Sequence, residues 1–399
     1  MPVASATGPK NKNTLARRAT QISISFPLTA ELCRPPGFQF TRYFDRWLTP
    51  PAVRVSPSGL TPNILIVRLS AIGDCIETLP MVAAIKRHWP GSKITWLVDC
   101  GVDAILKTQP MISKVIRVKK GFLKRPSELL LLRKELLAEK FDFVIDPQGL
   151  FKSALLGRLS GAKRRIGFAA PQSREKAWWF YHEAVAPQSI HLVDRQLELL
   201  KPLSIPIPPA DQAPFDWVEP IAVSIEADSI LTQMGVQPKQ FLCVNASAGW
   251  PSRVWPRERY AEVIREAATM HELDSVVIWG SPKERETAEW IVSNSGTNKA
   301  FLAPPTQLMS LSGLLKRSLA YVGSDTGPMH LSAAVGTRCI ALFGSTRASY
   351  SGAYGRNHIC IQKIDDSEKA DKKSSDDNLA MKAISVEDVM RSINSLGFF

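Results

Sequence analysis

Asp325, Thr326, Gly327 and His330 fall within Ala320–Ala334, AYVGSDTGPMHLSAA, where an apolar run ends in a glycine-containing turn and a helix begins at about Met329. Pro328 suits the first helical position, because its missing N–H would have no intrahelical partner there. A strand, a turn and a helix start direct free backbone N–H groups and a positive dipole end at one spot, a place to hold an anion such as a diphosphate. Thr326 could add a hydroxyl donor and His330 a ring N–H one turn in. Capping by Asp325 or Thr326 fits the same pattern, and the stretch leaves both readings open. Asp74 poses a similar choice. It follows a strand and Gly73, with Glu77 three residues on. A carboxylate there can act as general base on a hydroxyl, or simply cap a helix start. Arg253 follows the small residues Asn245–Gly249, which let a backbone approach a ligand, and a guanidinium can clamp phosphate oxygens. Trp255-Pro256 reads as fixing the entry of the next helix. Glu284, after Trp279-Gly280-Ser281, could accept from ribose hydroxyls or supply first-turn charge to a helix. Neither GxGxxG nor a P-loop occurs, so a dinucleotide fingerprint and a kinase are both unsupported.

The elements that must position these residues alternate. Apolar runs over 63–67, 93–98, 115–118 and 141–145 read as strands, with helices to about His88 and over 127–139, 152–159 and 191–200. A proline-rich crossover, Pro202–Pro220, interrupts the pattern. It resumes with a helix over 221–234, strands over 241–244, 275–279, 300–302, 318–322 and 338–343, and helices over 256–270 and 309–316. Residues 364–382 are charged and strandless and read as a mobile loop. Ser385 is placed to cap a last helix that carries Glu387 and Asp388 in its first turn. Two α/β halves with parallel sheets imply a cleft, and the turns at Asp74 and Asp325 both lie at strand carboxyl ends, where such sheets bind ligands.

The 399 residues, 45% apolar, suffice for two domains with sizeable cores. The net charge of +13 is uneven. Residues 1–60 carry eight Lys and Arg against Glu31 and Asp45, and two further basic clusters span 114–134 and 152–176. Residues 1–60 read as a disordered basic extension; an acid-free first 30 residues also admits a transit peptide. The basic first half suits an anionic partner, whether nucleic acid, an acidic membrane surface or a phosphorylated substrate, and equally a solvated face. Six scattered cysteines without CxxC argue for reduced thiols and against a zinc site. No apolar run approaches the roughly 20 residues that span a bilayer.

At this point the motifs carry a resemblance. RLSAIGDCIETLP (68–80), VIDPQGLFKSALLGRL (144–159), SRVWPRERY (252–260), GSDTGPMHLSAA (323–334) and FGST (343–346) resemble glycosyltransferase family 9, in order, over residues 63–399. SGAYGRNH (351–358), KSALLGRLSGAKRRIGF (152–168) and SREKAWWFYHEAV (173–185) resemble its lipopolysaccharide heptosyltransferase I branch more than the II branch. The resemblance implies a GT-B fold with two Rossmann-like domains facing across a cleft. The expected layout is a basic extension over 1–60, an acceptor domain over 61–201, a linker and connecting helix over 202–238 and a nucleotide-sugar domain over 239–384. The final helix, 385–399, is expected to return to the first domain. It also implies an inverting, metal-independent transfer of heptose from ADP-heptose, a substrate rather than a cofactor, to the Kdo/lipid A inner core. By motif, Asp74 would be the base, Arg253 would hold the diphosphate, and Asp325, Thr326, Gly327 and His330 would bind the donor, with Glu284 near the ribose. Lys119, Lys120 and Arg174, from the basic clusters, are expected to meet an anionic glycolipid acceptor. Peripheral contact with the cytoplasmic face of the inner membrane would follow, and the oligomeric state is left open. Ala248-Gly249-Trp250 and Arg347-Ala348 depart from the family pattern near the donor, which leaves sugar and base undetermined; the acceptor hydroxyl is not given by the sequence either. The competing readings are a family member with another nucleotide sugar or acceptor, a nucleotide-sugar epimerase, and a non-catalytic nucleotide-sugar-binding protein at the membrane. Nucleic-acid binding rests on charge alone, without an RRM, KH or helix-turn-helix signal.

Overall fold

The structure, a computed structural model, describes residues 61–99, 101–119, 121–364 and 378–397. The first half holds strands β1 (Asn63–Val67), β2 (Lys93–Val98), β3 (Lys114–Arg117), β4 (Phe143–Asp146), β5 (Arg164–Phe168) and β6 (Glu183–Val185). Between and after them lie helices α1 (Ile72–Ile76), α2 (Leu79–His88), α3 (Asp103–Thr108), α4 (Pro126–Glu139), α5 (Phe151–Leu159) and α6 (Leu192–Leu197). The second half holds β7 (Phe241–Asn245), β8 (Asp274–Val277), β9 (Ala300–Leu302), β10 (Ala320–Ser324), β11 (Arg338–Phe343) and β12 (Ile359–Gln362). Its helices are α7 (Ile221–Met234), α8 (Arg257–His271), α9 (Pro282–Asn294), α10 (Leu308–Arg317), α11 (Gly327–Ala334), α12 (Ala348–Ser351), α13 (Leu379–Lys382) and α14 (Val386–Asn394).

Each half is one six-stranded parallel sheet, ordered β3-β2-β1-β4-β5-β6 and β12-β11-β10-β7-β8-β9. Strand order therefore reverses between β1 and β4 in the first sheet and between β7 and β10 in the second. At such points adjacent connections leave to opposite faces and open a crevice at the strand carboxyl ends. The register is continuous there, with Ile64 opposite Phe143 and Ala320 opposite Leu242.

Both central strands are buried on both faces, which is why they read as unbroken apolar runs. Ile64 and Ile66 of β1 join a core cluster that reaches into the second half, while Leu65 and Val67 pack towards Leu136 of α4 and Leu156 of α5. In β10, Tyr321 faces the shared cluster and Ala320 and Val322 face the core under α8 and α14.

The GT-B expectation of two Rossmann-like halves holds, with corrections in its particulars. The last helix does not return to the first domain. Val389, Met390, Ile393 and Leu396 complete the second-half core with Ile264 and Ala267 of α8, the Arg338 guanidinium donates to the Leu396 carbonyl, and Lys363 pairs with Asp388 at 2.7 Å. The core under β11 is open until α14 covers it, so burial keeps the helix there. Helix α7 likewise packs on α10 and belongs to the second half rather than to a connecting linker. Of the loop expected over 364–382, Leu379–Lys382 is helical, and most of the remainder lies outside the described residues. Strands β5, β6 and β12 and helix α3 were not legible in the pattern, and α9 was touched only by the first-turn reading of Glu284. Ser385 caps α14 as expected, accepting from Asp388 N at 3.2 Å.

Tyr354 of the second half ties the halves together. Its hydroxyl donates to Asp194 Oδ1 at 2.7 Å and accepts from Ala213 N at 3.3 Å, while His191 Nε2 donates to the Gly352 carbonyl at 3.1 Å.

Candidate active site

Five loops meet between the halves: those after β1 and β6 from one side, and those after β7, β10 and β11 from the other. The contact is close. A Cβ placed on Gly73 would lie 2.5 Å from His330 Cδ2, and one on Gly327 would lie 3.3 Å from Ile72 Cγ2. Gly73 therefore has to be glycine for the starts of α1 and α11 to approach one another. Its role is room for the facing half, not backbone freedom.

Beside this contact opens a cleft of about 1070 Å³ whose lining includes Asp74, Glu77, Arg195, Trp250, Arg253, Asp325, Thr326, Gly327, His330, Thr346, Arg347 and Tyr350. A second cavity of about 820 Å³ lies on the other side of the same turn, lined by Ser70–Gly73, Asp99, Gly121–Lys124, Lys152, Leu308, Gly327 and Pro328. Ala71, Gly73 and Gly327 line both. The turn that carries Asp74 is thus the partition between two cavities, one facing the second-half loops and the other the basic segments of the first half.

Asp74 is held on two sides. Oδ2 accepts from Ala71 N and Oδ1 pairs with Arg68 Nη2, both at 2.9 Å. Arg68 is buried and anchored through Nη1 to the Pro147 carbonyl at 2.7 Å. Capping is therefore one thing Asp74 does, but its side chain stays 35% exposed towards the cleft. Cap and open carboxylate are the same group.

The turn after β10 resolves the other choice. Thr326 occupies the N-cap of α11, yet its side chain makes no cap hydrogen bond. Its hydroxyl is turned to Asn245 Nδ2 and the Tyr321 hydroxyl, at 3.2 Å each. Asp325 does not cap either; Oδ2 lies 3.1 Å from Arg253 Nη1, Oδ1 lies 3.4 Å from His330 Nε2, and its carbonyl also accepts from Arg253 Nη1 at 3.1 Å. The α11 terminus therefore faces the cleft without a side-chain cap, the condition for receiving an anion.

His330 completes a buried charge cluster that the sequence did not announce, with Nδ1 3.4 Å from Glu77 Oε1. Burial opposes a charged imidazole, but Glu77, Asp325 and Asp74 outweigh it and push His330 up to about 9. Burial pushes the Glu77 carboxyl up to about 7, partly offset by His330. Burial would also raise Asp325, but His330 and Arg253 outweigh it and hold that carboxyl below its ordinary range. The cluster thus keeps a cationic histidine between two carboxylates, one from each half.

Of the ten expected site residues, the structure brings Asp74, Arg253, Asp325, Thr326, Gly327 and His330 to one cleft. It does not bring Glu284 into the cleft lining: Oε2 accepts from Gly280 N at 2.8 Å at the start of α9, which is the first-turn reading. Exposed Lys119 is turned to Glu128 at 3.1 Å, and Arg174 is exposed away from both cavities. Lys120 lies outside the described residues. Lys124 and Lys152 are the first-half cations that line the smaller cavity instead, Lys152 lying 3.5 Å from Asp99. They fall inside the two basic clusters, so charge located the segments but not the residues. Glu77 and Trp250 also line the cleft, although the sequence offered Glu77 only as a capping partner and Trp250 only within a departure from the family pattern; Arg68, buried behind Asp74, lay in a quoted motif with nothing to mark its role. Among the described residues no group of three His, Cys, Asp or Glu is placed to hold a metal ion.

Known proteins resemble this chain in sequence and fold. A sequence model of glycosyltransferase family 9 (heptosyltransferase) matches residues 129–381. Lipopolysaccharide heptosyltransferase 1 of Pseudomonas aeruginosa is 29% identical over 307 residues, covering 74% of this chain and 82% of that protein. Lipopolysaccharide core heptosyltransferase OpsX of Haemophilus influenzae is 26% identical over 350 residues, covering 84% and 97%. The solved structure of E. coli heptosyltransferase WaaC with ADP-2-deoxy-2-fluoro heptose superposes with a TM-score of 0.68 at 26% identity, covering 84% of this chain and 99% of that one.

Proposed function

The chain belongs to glycosyltransferase family 9, and on that premise we propose that it transfers a heptose from ADP-heptose to the Kdo/lipid A inner core during lipopolysaccharide synthesis. The observation that carries this reading is Asp74, an accessible carboxylate on the partition between two cavities, facing Arg253 and the uncapped start of α11. The donor occupies the larger cleft, its diphosphate against Arg253 and α11. The acceptor enters from the smaller cavity, where Lys124 and Lys152 suit its acidic groups. The similarity to heptosyltransferases, one of them solved with an ADP-heptose analogue, supports the choice of donor.

In the reaction Asp74 takes the proton of an acceptor hydroxyl as its oxygen attacks the anomeric carbon. Attack comes from the face opposite the nucleotide, so the anomeric configuration inverts. The bond from that carbon to the diphosphate oxygen breaks and its electron pair stays on ADP. Negative charge grows on the leaving group, where the Arg253 guanidinium and the α11 dipole stabilise it. That supply of positive charge removes the need for a metal ion. Arg68 and the Ala71 amide fix the orientation of the base. The enzyme works at the cytoplasmic face of the inner membrane, where a lipid-borne acceptor would be reached from the side; no helix among the described residues is long and apolar enough to cross a membrane.

Product formation with ADP-heptose and Kdo-bearing lipid A tests the reading, with Asp74→Asn alongside. Transfer by the wild type, reduced about 10²–10⁴-fold in the variant while donor binding persists, is the expected outcome. Tight binding of a different nucleotide sugar without heptose transfer would keep the family and remove the heptose assignment. The departures at Ala248–Trp250 and Arg347-Ala348, whose Trp250 and Arg347 line the donor cleft, make that the alternative to check.

A further inference from the structure

Helix α4 buries a narrow stripe and leaves most of its leucines in solvent. Leu136 is buried in the first-half core, with Leu129 and Leu132 packed beside it. These three follow i, i+3, i+7 spacing, so they form one face. On the far side Leu130 and Leu131 are 65% and 69% exposed, and Leu123, in the turn that leads into the helix, is 47% exposed. Exposed leucines scattered singly need no explanation, but these are neighbours.

The charges on the helix are segregated as well. Glu128, Glu135 and Glu139 lie along one flank and are paired with Lys119, Arg125 and Lys114, at 2.8–3.3 Å. Lys134 lies between the two exposed leucines on the far side, and Arg133 flanks them with Leu137. Arg133 and Lys134 are exposed and form no ion pair among the described residues. The acids are thus neutralised on their own flank, while the outer face presents leucine and the unpaired cations Arg133 and Lys134.

That surface is continuous with the smaller cavity. Leu123 and Lys124 line the cavity and also belong to the exposed segment preceding α4. We propose that the outer face of α4, with Leu123, Leu130, Leu131, Arg133 and Lys134, docks on an anionic lipid bilayer and sets the smaller cavity at the membrane surface. The leucines enter the headgroup–acyl boundary, and the cations meet lipid phosphates while their aliphatic stems lie along the leucines. The proposal rests on the reading of the acceptor as lipid-borne, since a soluble acceptor gives this surface nothing to approach.

The test is flotation of the full chain with vesicles of phosphatidylcholine, with and without phosphatidylglycerol. The wild type is expected to float with the anionic vesicles, less so as salt rises. Leu130→Glu/Leu131→Glu and Arg133→Glu/Lys134→Glu are each expected to lower apparent lipid affinity roughly tenfold or more. Undiminished flotation of both variants would overturn the proposal and place lipid contact elsewhere, for instance on the basic residues 1–60. A wild type that ignores vesicles but forms a dimer broken by Leu130→Glu/Leu131→Glu would overturn it in favour of a second copy of this chain. Transfer to a delipidated Kdo-bearing fragment, measured on the same preparations, separates the two readings. Its absence in the wild type speaks against the proposed function, whereas equal transfer by wild type and variants leaves the vesicle result to decide the docking surface.

Discussion

Gly73→Ala puts a methyl group into the contact between the halves. Its Cβ would sit 2.5 Å from Cδ2 and 3.1 Å from Nε2 of His330. Carbon atoms settle at about 3.5–4.0 Å, so the ring or the α1 backbone must yield by about 1 Å. The ring has little freedom, being buried between Glu77 and Asp325, each 3.4 Å away. Overpacking of this kind costs about 1–3 kcal/mol, and the displaced backbone carries Asp74 as the very next residue. A base moved by about 1 Å can cost about 10²-fold in rate. The expected result is a folded protein with somewhat lower Tm, near-normal affinity for ADP, and kcat down about 100-fold. The assay pairs thermal unfolding with initial rates in a double-mutant cycle with His330→Ala. Removing the ring should relieve the stability cost of the methyl group, giving a coupling energy of about 1 kcal/mol or more. A cost of Gly73→Ala that is the same with and without His330 would refute the reasoning, because the clash would then lie elsewhere.

Three other outcomes follow from the structure. Arg253→Ala removes a charged donor from the cleft and leaves Asp325 short of a partner, so donor affinity should fall about 10–100-fold. Its kcat should fall further still, since the charge it meets grows in the transition state; Arg253→Lys should recover part of both, read by calorimetry and initial rates. The protein should lose stability as pH rises from about 5 to 9. His330, raised to about 9 from 6.5, contributes fully below 6.5 and loses its contribution through 9, at most about 3 kcal/mol; Glu77, raised to about 7 from 4.5, is favoured when protonated, so its cost builds between pH 4.5 and 7 and levels off above. Glu77→Gln should flatten that dependence, because it removes one titration and draws His330 down, and parallel Tm–pH curves for the two proteins would contradict the cluster. Glu284→Gln should change donor affinity less than about twofold, because its carboxylate serves the Gly280 amide; a tenfold loss would return it to the ribose.

Much of the architecture could be read from the pattern because its central strands are buried on both faces. Runs such as Ile64–Val67 and Arg338–Phe343 are unmistakable for that reason. Strands at or next to a sheet edge have no such signature: β6 is the three residues Glu183–Val185, none fully buried, and its neighbour β5 begins with two arginines. The last helix was misassigned because its place came from the family resemblance, and its own amphipathic stripe says that it is buried, not against which half. At the site, motifs with a strand before and a helix after located Asp74 and Asp325, since the turn itself sets the side chain's direction. The basic clusters gave only a region. A lysine's reach and partner depend on the tertiary surroundings, so Lys119 is turned to Glu128 while Lys124 and Lys152, no more conspicuous in sequence, face a cavity. Glu77 was discounted as half of a capping pair, because nothing local reveals that His330, 253 residues away, is its neighbour.

The contact between Glu77 and His330 has a consequence for how the two substrates are coordinated. Each half contributes one wall of the site, and the groups nearest the partition are charged: Arg68, Asp74 and Glu77 from the first half, and Arg253, Asp325 and His330 from the second. Their interactions run in sequence across the boundary, from Glu77 to His330 to Asp325 to Arg253. A diphosphate that draws Arg253 away from Asp325 would leave that carboxylate to His330 alone, which loosens the hold of His330 on Glu77. Because Glu77 and Asp74 stand one turn apart on the same short segment, donor binding can then alter the field at the base before the acceptor arrives. Coupling of this kind has to be reciprocal in binding free energy. ADP should therefore change the affinity for the acceptor, and Glu77→Gln should reduce that change while leaving each single affinity near its wild-type value. Calorimetric titration of a delipidated acceptor fragment, with and without saturating ADP, measures the coupling directly. Equal coupling in wild type and variant would mean that the two sites communicate through movement of the halves rather than through this chain of charges.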